Sequence, residues 1–233
     1  SIGRMLVSDY NNDGKPDIVG PCAGTDSNAH ITDPLYNREQ SRIFLSTESG
    51  RYTNTEIPNS KCDQCYPHGA TAGDINGDGN TDLVFSKVGV GSDHSAFSVF
   101  MGDGQGNFAK DDSRVAMKGG TGTMGYAVWA VELIKLKGDT VPTLFVSGPI
   151  NEKWCAPINC DTQPQMLKNV NGYYANPVAF PLAGVSSKKE DLIDIVYDEK
   201  RNKIIVAGAV DDYKYYVHYS IDLSTKESKV VGS

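Results

Sequence analysis

Residues 9–19 read Asp9-Tyr10-Asn11-Asn12-Asp13-Gly14-Lys15-Pro16-Asp17-Ile18-Val19, and residues 74–84 read Asp74-Ile75-Asn76-Gly77-Asp78-Gly79-Asn80-Thr81-Asp82-Leu83-Val84. Both obey D-x-N-x-D-G-x-x-D followed by apolar residues, at an offset of 65. Self-similarity at such a period marks a repeat architecture, in which one unit cannot bury its apolar face alone. A short run of small or apolar residues precedes each copy (Arg4 to Ser8; Gly69 to Gly73). After each copy come a strand, a loop and an alternating strand ending in a Gly-rich turn. That turn is Ser46 to Gly50 in the first unit and Gly102 to Asn107 in the second. Alternation closed by Gly and Asn turns predicts hairpins. One unit is therefore strand A, acidic loop, strand B, loop, strand C, tight turn, strand D.

Two weaker copies follow. Leu144-Phe145-Val146 aligns with Leu83-Val84-Phe85 at an offset of 61, and Ile204-Ile205-Val206 follows at a further 60. In the third unit, 164–169 and 173–176 are expected as the later strands. Four strands repeating at this period are what propeller blades look like. The expected fold is all-β: a β-propeller of about four four-stranded blades in a single domain over 1–233, at roughly 4–58, 69–117, 125–181 and 190–232. The chain starts at a strand A and ends at a strand D, so no blade closes by pairing the termini. Either four blades close through side-chain packing or they form an arc of a larger ring.

Composition narrows the function. Lys and Arg number 22 against 29 Asp and Glu, a formal net charge of −7. That acidity lacks the basic stripe a nucleic-acid partner needs. No apolar run approaches the ~20 residues that span a bilayer. The 24 Gly and 11 Pro among 233 residues suit many short strands. The chain begins at Ser1, with no start methionine or secretion signal, as a mature product or an excised segment would.

The acidic loops point to calcium. Positions 1, 3, 5 and 9 are Asp9, Asn11, Asp13 and Asp17, then Asp74, Asn76, Asp78 and Asp82, while Lys15 or Asn80 would lend its carbonyl. Calcium takes about 6–8 oxygen ligands, and alternate side chains of a tight loop can converge on one ion. Gly14 and Gly79 permit the sharp turn. Three carboxylates per loop repel one another without a cation. Lys135, Lys137, Asp139 and Thr143 occupy the same places in the third unit, and Ile195, Tyr197, Glu199 and Lys203 in the fourth. Ammonium groups and apolar residues exclude the ion there, so two calcium ions are expected, moving the formal charge from −7 to −3.

This loop-plus-strand pattern resembles the FG-GAP (or VCBS) repeat family, found in integrin α-subunit propellers and many secreted bacterial proteins and lectins. Residues 67–84 look like a typical member, and the likeness covers roughly 4–116, with the later units similar only in outline. The resemblance implies a calcium-stabilised propeller in a secreted, periplasmic or cell-surface setting, adhesin-like or lectin-like in use. It carries the ten loop positions over as metal-binding and no catalytic residue. Members often have more blades than the four read here.

The expected topology puts B–C and D–A loops on the face opposite the acidic loops. Cys22, Cys62, Cys65, Cys155 and Cys160 all fall in them. In an oxidising, calcium-rich compartment these are disulfide candidates. Cys155 with Cys160 would close a small loop, one pair among Cys22, Cys62 and Cys65 would pin the first junction, and the odd thiol is free or joins another chain. Zinc held by Cys62, Cys65 and His68, with Cys22, is the rival reading. His30, Tyr36, Tyr66, His68 and Trp154 on this face could bind a glycan or a protein partner; they could equally cap seams between blades. No catalytic triad order or phosphate loop stands out, and 102–106 is a hairpin turn. The expectation is a non-catalytic binding module. The alternatives are a fragment of a calcium-propeller polysaccharide lyase or hydrolase using His68, Asp26 and Glu152, and a purely structural propeller arc.

Overall fold

The computed structural model describes residues 4–22, 40–60, 69–86, 96–116, 128–148, 164–180, 182, 190–210 and 214–232. Among them the only helical element is one 3-10 turn, Asp112–Arg114. The first sheet is β1 (Leu6–Ser8), β2 (Asp17–Gly20), β3 (Arg42–Ser46) and β4 (Tyr52–Glu56). The second is β5 (Ala70–Gly73), β6 (Asp82–Ser86), β7 (Phe97–Gly102) and β8 (Phe108–Lys110). The third chain segment runs β9 (Ala130–Ile134), β10 (Thr143–Ser147), β11 (Gln165–Leu167), β12 (Asn169–Val170), β13 (Tyr173–Tyr174) and β14 (Val178–Ala179). The last sheet is β15 (Glu190–Asp198), β16 (Lys203–Val210), β17 (Tyr215–Asp222) and β18 (Ser228–Gly232). The first, second and last sheets are antiparallel meanders in chain order.

The third sheet departs from expectation. Its order is β9-β10-β11-β14, and Tyr173–Tyr174 is not its outer strand. Those tyrosines pair with Asn169–Val170 in a separate hairpin. The cause is the Asn171-Gly172 turn, with φ of +54° and +81°. Two consecutive left-handed residues make the two-residue reversal that Asn-Gly favours. The chain turns back before reaching the sheet edge, and Val178–Ala179 takes the outer place against β11.

The sheets pack face to face through rows of apolar side chains. Leu6, Val19 and Ile43 of the first meet Ala70, Leu83, Phe85 and Phe100 of the second. Val84 and Val99 meet Val131, Leu144, Val146 and Leu167 of the third. Phe145 and Phe180 meet Leu192, Ile195, Val206 and Tyr219 of the fourth. Strands β6 and β10 are therefore buried along their whole length, which is why they read as near-continuous apolar runs. The outer strand β4, Tyr-Thr-Asn-Thr-Glu, is exposed throughout, and its polar residues suit an edge.

First strands β1, β5, β9 and β15 contact one another in order. One polar cluster draws on all four sheets. Arg4, just before β1, pairs with Glu132 of β9 and lies 4.0 Å from Asp194 of β15. Thr71 of β5 donates to Glu132 at 3.0 Å and accepts from the Leu133 amide at 3.0 Å. Burial pushes the Glu132 carboxyl above its ordinary range, and Arg4 and Thr71 only partly offset this. A raised folded-state pKa means stability from this group is present at low pH and lost as pH rises through that pKa. Glu132→Gln keeps the acceptor for Thr71 and removes a penalised charge, so it should be near neutral at pH 7. Arg4→Met strands the charge and should cost about 2 kcal/mol, between values typical of exposed and buried pairs. Urea melts at pH 7 and pH 5 check this: the Arg4→Met loss should shrink at pH 5. A larger loss from Glu132→Gln than from Arg4→Met would reverse the reading.

Candidate metal centre

Each acidic loop joins the first two strands of its sheet, residues 9–17 between β1 and β2 and residues 74–82 between β5 and β6. Each is wound by two residues in the left-handed region: Asn12 and Gly14 at φ +57° and +81°, Gly77 and Gly79 at +80° and +86°. Glycine and asparagine adopt this conformation at little cost. The winding turns the loop amides onto the loop's own side chains. Asp9 accepts from the Asp13 and Gly14 amides at 3.1 and 2.8 Å. Asp74 accepts from Gly77, Asp78 and Gly79 at 2.7, 3.2 and 2.9 Å. The third-position amide oxygens, of Asn11 and Asn76, take the Asp13 and Asp78 amides at 3.2 and 3.0 Å. Asp13 and Asp78 in turn accept from Lys15 and Asn80 at 2.9 and 2.8 Å. Lys15 sends its ammonium outward to Glu48, 3.0 Å away.

The ninth-position carboxylates play a second part. Asp17 and Asp82 are fully buried at the starts of β2 and β6. Asp17 accepts from the Tyr10 amide at 3.0 Å and the Ser46 amide at 2.8 Å. Asp82 accepts from Ile75 and Gly102, both at 2.8 Å. Each thereby pins the loop to the end of the third strand of its sheet. Burial pushes Asp82 up to about 6, with Asp78 and Asp74 adding repulsion. Burial acts the same way on Asp78, but hydrogen bonds from Asn80 and Asn76 outweigh it and hold that carboxyl below its usual value.

The two loops are also tied together. Asn12 donates to the Asn80 side-chain oxygen at 3.0 Å, and the Ser8 and Thr81 hydroxyls share a hydrogen bond of 3.2 Å. The second sheet's outer turn presses on the first loop: the Gly106 amide donates to the Tyr10 carbonyl at 3.1 Å. A Cβ on Gly104 would fall 2.2 Å from Asn80 Oδ1 and 2.5 Å from Asn12 Nδ2. The β12–β13 hairpin does the same for the second loop. Asn169 donates to the Ile75 carbonyl at 2.8 Å, and a Cβ on Gly172 would sit 3.3 Å from Asn76 Cβ. The first loop is thus buttressed by the outer turn of the second sheet, and the second loop by the separate β12–β13 hairpin. Sequence reading missed these partners, although Gly104 and Asn171-Gly172 carried the signal.

At positions 1, 3, 5 and 9 each loop offers three carboxylates and one carboxamide, with no histidine or cysteine among them. Such a donor set fits a hard divalent cation. Among the described residues no three or more acidic, histidine or cysteine side chains converge as a ready-made cage, because the loop carboxylates face loop amides. The fit is one of donor type and winding. In the third sheet Asp139 is engaged by Thr143 at 3.3 Å and by Lys168 at 3.4 Å. In the fourth, Ile195 and Tyr197 lie within β15, and Asp198 pairs with Arg201 at 2.7 Å in an ordinary hairpin turn.

Cys22 lies past the end of β2 remote from the acidic loop, half-buried, its amide donating to Ser41 Oγ at 3.0 Å. The other cysteines (62, 65, 155 and 160) lie outside the described residues, as do His30, Tyr36, Tyr66, His68 and Trp154 and the acids Asp26 and Glu152. No helix among the described residues is long and apolar enough to cross a membrane.

Comparison with known proteins gives one family and one solved structure to report. Residues 9–85 match the model of the FG-GAP-like repeat. No curated protein matches the chain significantly. Among solved structures, the extracellular domain of a hybrid two-component system protein of B. thetaiotaomicron is similar at 10% identity and a TM-score of 0.45. The match covers 98% of this chain and 27% of that one, so this chain spans about a quarter of its length. The family match begins at the first residue of the first acidic loop and ends three residues after the second: residues 9–85 carry an FG-GAP-like repeat.

Proposed function

We propose that the chain is a calcium-stabilised, non-catalytic propeller module of a secreted, periplasmic or cell-surface protein. It binds a glycan or protein partner through the loop face opposite the acidic loops. The observation that carries this reading is the pair of oxygen-only loops at one place in adjacent sheets, linked by Asn12 and Asn80. Asp9, Asn11, Asp13, the Lys15 carbonyl and Asp17 would hold one ion. Asp74, Asn76, Asp78, the Asn80 carbonyl and Asp82 would hold the other. A dication opposes the repulsion from Asp74 and Asp78 that adds to the effect of burial on Asp82. It would also stiffen a junction where two sheets and the separate β12–β13 hairpin meet. Ions and buttressed loops would rigidify one end of the module and leave the opposite loops to vary for recognition.

Isothermal calorimetry on metal-stripped protein should give two calcium sites, with magnesium a poor competitor because it demands tight octahedral geometry. Zero sites, or three or more, would overturn the assignment. Calcium-loaded protein should then score on a glycan array or in a pull-down. Consistent silence in both would remove the binding half of the proposal and leave the calcium half standing.

A further inference from the structure

Neutral groups join the two acidic loops. Asn12, the fourth residue of the first loop, donates to the side-chain oxygen of Asn80, the seventh of the second, at 3.0 Å. Asn80 in turn bonds the Asp78 carboxylate through both its backbone amide and its side chain. A side chain of one loop thus bears, through a single residue, on a carboxylate of the other. A second tie runs beside the first: the Ser8 and Thr81 hydroxyls, 3.2 Å apart, stand next in sequence to Asp9 and Asp82. The turn between β7 and β8 reaches both loops. Its Gly102 amide donates to Asp82 at 2.8 Å, and its Gly106 amide to the Tyr10 carbonyl at 3.1 Å. Between them Gly104 lies so close to Asn12 and Asn80 that a Cβ there would collide with both side chains. Asp103 closes that turn, accepting from the Gln105 and Asn107 amides at 2.8 and 3.0 Å.

We infer that the two loops bind calcium cooperatively, each ion raising the other loop's affinity, with Asn12 and Asn80 as the coupling pair. The inference rests on the calcium reading above and adds how its two sites are regulated. An ion in the second loop fixes Asp78 and with it Asn80, whose partner Asn12 stands between Asn11 and Asp13 of the first loop. The first loop's ligands are then partly ordered before their own ion arrives, so the second binding step costs less conformational entropy. Linkage makes the effect reciprocal. Charge works the other way. Filling one loop takes its three carboxylates from −3 to −1 and weakens their pull on the second ion. Water and salt screen that effect between exposed loops, whereas the hydrogen-bonded contacts are direct, and the net coupling is positive. Two side-chain ties and one shared turn place it at the low end of usual couplings, about fivefold.

Calcium calorimetry on the metal-stripped chain tests it. Asp78→Ala isolates the first loop and Asp13→Ala the second, and each variant yields one association constant. In wild type the product of the two stepwise constants should exceed the product of those isolated values about fivefold. Asn12→Gly, measured against the same two variants made in its background, should bring that ratio close to one with two ions still bound. Asn12 is not among the assigned ligands, and glycine is what the second loop carries at this place, as Gly77. Its far-ultraviolet circular dichroism should match wild type. A wild-type ratio at or below one would overturn the inference while leaving two calcium sites in place. An undiminished ratio in Asn12→Gly would overturn it as well. A wild type that takes up no calcium would instead overturn the calcium reading, and the coupling with it.

Discussion

Saturating calcium is expected to raise the melting temperature by roughly 10–20 °C over the chelator-treated protein. A ligand that binds only the folded chain, present at about a hundredfold excess over its Kd, stabilises by about 2.7 kcal/mol per site. Two sites give about 5 kcal/mol, and at this chain length each kcal/mol moves Tm by about 2–4 °C. Asp13→Ala and Asp78→Ala should each remove about half the calcium-induced shift. Neither should change the chelator melt much, because both side chains are exposed and bond only within their own loops. Added sodium chloride gives a necessary contrast. Screening would relieve some repulsion among exposed carboxylates, but it cannot supply coordination, so the shift with salt alone should be a small part of that with calcium. Equal melts with calcium and with chelator would reduce both loops to hydrogen-bonded turns.

The parts of the fold legible in sequence were those set by local pattern. The D-x-N-x-D-G-x-x-D spacing located two loops, because a tight turn needs glycine at a fixed place and strand residues must follow at once. The covered strands β6 and β10 stood out as apolar runs because sheets lie on both their faces. The third sheet's outer strand was misplaced for the same local reason. Tyr173–Tyr174 has the look of a strand and is one, but the Asn171-Gly172 reversal decides which strand it pairs with. Turn geometry won over strand propensity.

What the sequence hid at the site was long-range. Nothing in the loop formula says that Asn12 reaches Asn80, or that Asn169 reaches the Ile75 carbonyl across 94 positions. Side-chain partners so far apart in sequence have no periodic signature. Their traces are the glycines that must stay small where one sheet's turn meets its neighbour's loop, such as Gly104 against Asn80. The fourth position of the loop formula was likewise left open, although Asn12 and Gly77 share one left-handed conformation there.

The ninth-position aspartate separates two roles that the formula merges, and Asp17→Ala measured in chelator is the experiment that resolves them. In metal-free protein this change should cost roughly 3 kcal/mol, or about 10 °C in melting temperature at this chain length. Asp17 is fully buried and each of its oxygens takes a backbone amide, from Tyr10 and from Ser46. Alanine leaves both donors without that acceptor, and an unpaired buried amide costs about 1–3 kcal/mol. Asp13→Ala under the same conditions should cost far less, since its lost bonds are exposed to water. A carboxamide refines the comparison. Asp17→Asn keeps one acceptor and should lose about half as much as alanine. Asp82→Asn should lose less again, because burial and the charges of Asp74 and Asp78 already oppose an ionised Asp82. If Asp17→Ala and Asp13→Ala melted together in chelator, the buried carboxylate would act through the ion alone, and the loop-to-strand pin would carry no stability of its own.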